Sequence, residues 1–338
     1  MGKIVPCLKR GIIYSIEIMS AKRIDFLDLA RGWVIFLVVW VHADHPFWVT
    51  PNFVDTFFFF LAGFFFKKIP FKRFMTKQVK GLLVPFLFFY LLSYPFHIVL
   101  HYWDYRTLAG FDWTCIFDLF DCASSSYYLF VNVPLWFILC ILVMRFYYWF
   151  LCTLSRKLLW GIALALLAAG PFFQSIPSPF MMNNACYWLG FFMLGNLCGK
   201  TLIQYLSEEH RRLPFFAVTG VLGWVCYALE PVVADFEWVE YALTHVERIL
   251  LILATLSFFS LNFVKYIPLL RYFGSNSLLV LGFHVFILVP FSRLAFKITG
   301  INADWIGAIC ALLTMGVLYF VIRWSSLHIP QLVGKSKH

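Results

Sequence analysis

Apolar runs separated by short polar clusters recur along this chain, and they restrict its fold more than any single motif. Ten can be counted, at roughly 26–43, 53–66, 82–100, 128–151, 158–174, 184–199, 214–229, 244–263, 275–291 and 303–323. About 20 apolar residues cross a hydrocarbon core about 30 Å thick. Backbone inside that core must satisfy its own hydrogen bonds, which a helix does. Composition agrees: of 338 residues, 62% are hydrophobic and 13% charged, with a mean hydropathy of +0.81. A soluble domain carries about 25% charged residues. The expected fold class is all-α, a polytopic membrane helix bundle of about ten transmembrane helices.

The polar clusters alternate in sign. The N-terminus and segments 67–80, 153–157, 200–213, 264–274 and beyond 323 carry Lys and Arg repeatedly. Segments 44–52, 101–127, 175–183, 230–243 and 292–302 hold only Arg106, Arg293 and Lys297 as basic residues. Two of these are acidic, with Asp104, Asp112, Asp118 and Asp121 in one and Glu230, Asp235, Glu237 and Glu240 in the other. Basic loops stay cytoplasmic, so both termini are expected there. The formal charge of +10 therefore reports topology and not a nucleic-acid partner. The chain divides into a basic N-terminal segment 1–22, one membrane-embedded domain 23–325 and a short basic tail 326–338. Its opening lacks the apolar core and cleavage site of a signal peptide. Met19 is an alternative start that would make residues 1–18 dispensable. Nothing in the pattern specifies an oligomeric state.

Nine cysteines include no CxxC pair, which argues against zinc or dithiol chemistry, and no metal is expected. Cys115 and Cys122 share a predicted outer loop and are a candidate disulfide.

Ionisable residues inside apolar runs mark function by default. In the stretch Arg23 to Lys68, Arg31 and His42 stand eleven positions apart. At 3.6 residues per turn that is three turns plus about 20°, so both leave one helix face, about 16 Å apart along the axis. Asp28 lies one turn before Arg31, placed to pair with it. A neutral histidine in a low-dielectric site can act as general base on a hydroxyl; its bland counterpart is a ring bonded to a nearby carbonyl. Arg31 can fork onto a phosphate or carboxylate, or pair internally with Asp28 or Asp25. Asp44 and His45 follow directly. The segment KKIPFKRFMTKQVKGLLVP carries six basic residues, Lys72, Arg73 and Lys77 among them, and no acid. It suits a polyanion such as the phosphates of coenzyme A, and equally anionic headgroups of membrane lipid. Arg145, Glu247, Arg248 and His284 are further intramembrane candidates. These residues leave an enzyme and a secondary transporter of a small anion or sugar conjugate both open.

Ordered motifs separate the two. IDFLDLARGWVIFLVVWVH resembles the opening of the acyltransferase-3 family of integral membrane O-acyltransferases, where an Arg and a His are separated by ten residues. VDTFFFFLAGFFFKK is similar to the family's next element, with Ala62 in place of its usual Ser, and KRFMTKQVKGLLVP to the basic segment after it. VPLWFILCILV with Trp136, NACYWLGFFMLGNLCGK, and LRYFGSNSLLVLGFHVFIL ending near His284 resemble three later elements in the family's order. The resemblance is nearest to stand-alone sugar O-acetyltransferases of the fucose and O-antigen type. It implies acyl transfer from acetyl-CoA or another acyl-CoA to a hydroxyl of a glycan or glycolipid acceptor, in a bacterial cytoplasmic membrane. Under it, Lys72, Arg73 and Lys77 meet the CoA phosphates and Arg31 the buried end of the donor. His42 serves as general base or covalent acyl relay, Asp28 and Asp55 orient their partners, and Asn276 and His284 line the cavity. A non-sugar acceptor is the alternative within the same chemistry.

Overall fold

The computed structural model describes residues 25–43, 53–120, 132–174, 178–264, 266–301 and 303–335. Helices dominate, and no strand occurs among the described residues. In chain order they are α1 Asp25–Val41, α2 Val54–Phe64, α3 Phe71–Gln78, α4 Val84–Tyr105, α5 Leu135–Leu151 and α6 Arg156–Gln174. There follow α7 Met182–Ser207, α8 Glu209–Val233, α9 Glu237–Ser260, α10 Pro268–Ser275, α11 Ser277–Thr299 and α12 Asp304–His328. Six helical stretches are long and apolar enough to cross a membrane: Phe71–Tyr105, Arg156–Phe173, Glu209–Val233, Glu237–Ser260, Ser277–Thr299 and Asp304–His328. Two shorter helices, Val54–Phe64 and Leu135–Leu151, are also apolar.

Burial shows which helices face lipid. Of α8 only Thr219 and Gly223 are buried, whereas Leu213, Val218, Val221, Trp224 and Val232 are exposed. An apolar helix with an apolar outer face belongs in hydrocarbon. α1 is the opposite case. Leu27, Leu29, Ala30, Val34, Ile35, Val38 and Val39 are all buried, and the helix packs against α2, α9, α10, α11 and α12. The helix that carries Asp28 and Arg31 and leads to His42 thus sits against five others inside the bundle.

The phenylalanine-rich run packs where its composition demands. Phe57 and Phe59 of α2 are fully buried, and Phe59 stacks on Phe137 at 4.6 Å. α2 crosses α7 through two glycines: a Cβ on Gly63 would overlap the Phe192 carbonyl, and one on Gly195 the Phe60 carbonyl. Only Gly permits that approach.

Three polar clusters expected as loops are helical. Within 67–80, Phe71–Gln78 forms α3, which buries Phe74 and Gln78 and continues into α4 through a π-helical turn at Val79–Leu83. A periodic Phe74–Gln78 face under an exposed basic face is enough to hold a short amphipathic helix against the bundle. The predicted loop 200–213 shrinks to a break at Glu208, and 230–243 to a turn at 234–236, because charged residues at helix ends extend helices beyond the apolar run.

Candidate functional site

α1 carries the site, and α11 faces it. Arg31 Nη2 donates to Ser277 Oγ at 3.0 Å, while Nη1 pairs with Asp28 Oδ1 at 3.5 Å. Asp28 is buried and Arg31 part-exposed, so the guanidinium is anchored by Asp28 and Ser277 while part of its surface stays accessible. Three turns further on, His42 meets the same partner helix: its ring stands edge-on to His284, centroids 5.2 Å apart. The helical arithmetic that put Arg31 and His42 on one face is therefore realised as one track along α11.

Carbonyl bonds fix both imidazoles. His42 Nδ1 lies 2.7 Å from Val38 O, and His284 Nδ1 lies 3.1 Å from Val280 O and 2.9 Å from Leu281 O. A carbonyl only accepts, so Nδ1 carries the hydrogen and the neutral ring keeps its lone pair on Nε2. In His284 that Nε2 is buried with no hydrogen-bond partner among the described residues. His42 is exposed, so its basic nitrogen is reachable. The bland reading of His42, a ring bonded to a neighbouring carbonyl, describes one nitrogen and releases the other for chemistry.

Asp55 completes the junction. It stands in the first turn of α2, and its carboxyl group interacts electrostatically with both His42 and Arg248. Arg248 comes from α9, with its guanidinium 5.3 Å over the Trp188 ring and Nη1 3.4 Å from Tyr187 Oη. Helices α1, α2, α9 and α11 thus bring two histidines, a carboxylate and an arginine to one end of α1. A base, a carboxylate able to stabilise its protonated form and a cation are the kinds of group that a proton transfer uses.

Residues 24–324 match the sequence family described as an acyltransferase domain. The chain belongs to the acyltransferase-3 family. No curated protein and no solved structure matches it. Membership makes the protein an integral membrane acyltransferase and favours that chemistry over transport.

Other residues singled out in this acyltransferase's sequence lie elsewhere. Lys72, Arg73 and Lys77 are exposed on α3, a different element from the one bearing Arg31. Trp136 is buried against Phe59 and Phe137. Asn276 closes the α10–α11 turn, its Nδ2 donating to Tyr272 O at 2.8 Å, which makes it a junction residue. Asp25 pairs with Arg271. Arg145 stacks over Phe66 at 5.8 Å. Asp44, His45 and Cys122 lie outside the described residues.

Two parts of the site escaped sequence reasoning. Lys335, in the C-terminal tail, donates to Asn276 Oδ1 and Ser326 Oγ, both at 2.6 Å, and so reaches the residue next to Ser277. Burial pushes the Lys335 amine below the ordinary lysine range. The second is a cavity of about 330 Å³ bordered by Tyr187, Trp238, Tyr241, His245 and Arg248. Its sequence signal was present: Glu237, Glu240 or Tyr241, Thr244 or His245, and Arg248 recur at helical spacing on α9.

Proposed function

We propose that this acyltransferase moves an acetyl or longer acyl group from cytoplasmic acyl-CoA to a hydroxyl of a cell-surface glycan or lipid-linked sugar. The reading includes ten membrane crossings with both termini cytoplasmic, in a bacterial inner membrane, on the strength of the alternating basic loops. The observation that carries it is the α1 track, in which an anion-binding guanidinium and a reachable imidazole Nε2 share one face.

Donor binding begins at the basic face of α3, where Lys72, Arg73 and Lys77 raise the local concentration of a polyanion. Arg31, steadied by Asp28 and Ser277, presents the exposed part of its guanidinium to a phosphate or carbonyl oxygen of the donor. The acyl thioester then lies along α1 toward His42, a distance of about 16 Å from Arg31 by helical rise. The acceptor hydroxyl gives its proton to His42 Nε2 as its oxygen attacks the thioester carbonyl carbon. The carbon–sulfur bond breaks, the thiolate leaves, and the imidazolium returns the proton to it. Asp55 stabilises that imidazolium, and Val38 O holds the ring in the required tautomer.

Purified protein in nanodiscs, given radiolabelled acetyl-CoA and a membrane glycolipid fraction, tests this reading. Alkali-labile label on the glycolipid is expected, lowered about 100-fold or more in His42→Ala, the usual range for loss of a general base. Label that crosses the membrane without entering an ester would overturn it in favour of transport.

A further inference from the structure

The cavity on α9 is lined by none of the residues assigned above to donor binding. Along α9, Glu237 and Trp238 lie at the mouth, Tyr241 and Thr244 below them, and His245 and Arg248 innermost. Helical rise spreads this ladder over about 16 Å along α9. α9 packs against both α1 and α2, and Arg248 at the foot of the cavity interacts electrostatically with Asp55, as His42 does. A molecule entering from the acidic end of α9 is thereby brought toward the helices that carry His42 and Asp55.

The innermost groups ask for a particular ligand. His245 is buried, and its Nδ1 bonds Tyr241 O at 2.9 Å, so its Nε2 is an acceptor; that Nε2 has no partner among the described residues. Arg248 Nε, a donor, is also buried and has none. Leaving such atoms unmet in a buried site is unfavourable. A hydroxyl both donates and accepts, and satisfies an acceptor and a donor standing on one helix face. At the mouth, Trp238 offers a 58% exposed indole face, suited to the C–H face of a sugar ring. Charge then selects among sugars. Glu237 and Glu240 line the cavity against the single cation of Arg248, so its field is net negative and repels carboxylates.

We propose that this cavity is the acceptor subsite and that it takes a neutral or amino-bearing sugar in preference to an acidic one. The assignment rests on the acyl-transfer reading for the fate of the bound sugar, but binding itself can be tested apart from turnover.

Saturation-transfer NMR on the full-length protein in nanodiscs, without acyl-CoA, uses three probes: methyl glucoside, methyl glucosaminide and methyl glucuronide. Binding of the first two, and weak or no binding of the glucuronide, is expected. Trp238→Ala should weaken binding about three- to tenfold, the worth of one aromatic contact. Glu237→Gln combined with Glu240→Gln should admit the glucuronide, a gain that misfolding cannot produce. Val239→Ala, exposed on the same helix but outside the cavity, is expected to leave binding unchanged. Equal binding of all three probes, or affinities indifferent to Trp238 and to both glutamates, would overturn the assignment. Sugar binding with this selectivity in a protein that never turns over acyl-CoA would uphold the subsite and sink the acyl-transfer reading instead.

Discussion

Arg31 bridges Ser277 and Asp28, and replacing it by lysine separates its charge from its shape. The guanidinium spans Ser277 Oγ at 3.0 Å and Asp28 Oδ1 at 3.5 Å. An ammonium retains the charge near the buried Asp28 but cannot fork across both groups. A hydrogen bond involving a charged group is worth about 1.5–3 kcal/mol. With the Arg31 side chain 30% exposed, the lower bound applies, and about 1.4 kcal/mol is a factor of ten in rate. Arg31→Lys should therefore lower kcat/KM for acetyl-CoA about tenfold with little change in thermal unfolding. Arg31→Ala removes the charge as well. It takes the cation from a carboxylate only 9% exposed, and after discounting for solvent on the arginine side the loss of stability should be roughly 2 kcal/mol. CoA release, followed with a thiol reagent at two salt concentrations, and unfolding monitored in the same detergent read the two effects separately. A wild-type rate in Arg31→Lys together with loss of stability alone in Arg31→Ala would refute the donor-binding role and leave a structural ion pair.

Other consequences follow from the packing. Gly63→Ala and Gly195→Ala each drive a methyl group into a backbone carbonyl of the opposing helix and should destabilise the protein by about 1–3 kcal/mol. Gly316→Ala, with no atom near its Cβ, should be tolerated in the same unfolding assay. The Lys335 contact is pH-dependent. Its folded-state value is depressed below 10.5, so the docked tail carries fewer protons than the free one. Docking should strengthen as pH rises from that depressed value toward 10.5, seen as slower C-terminal proteolysis; protection that weakens over this range would contradict it.

Periodicity made the α1 track legible, because Arg31, His42 and Asp28 share one helix and their spacing is a local property. The same arithmetic does not reach His284, Ser277 or Arg248. Each was visible as a polar residue in an apolar run, but its partner on α1, α2 or α7 is more than 60 residues away in sequence for every pair. Only packing supplies such pairings. The α9 ladder was hidden for another reason: taking 230–243 as a loop detached Glu237 and Trp238 from the helix that aligns them with His245. Lys335 was hidden because a basic tail reads as a topology signal, and its burial depends on Val333 and Gly334 folding back toward Pro85 and Leu278.

The central claim is that His42 Nε2 takes the acceptor proton without carrying the acyl group. Rapid quenching of wild-type protein and His42→Ala with radiolabelled acetyl-CoA and acceptor tests it most directly. Labelled acceptor forming with no label on the protein, at a rate about 100-fold or more below wild type in His42→Ala, is the predicted result. Transient label on His42, or a His42→Ala rate equal to wild type, would contradict it.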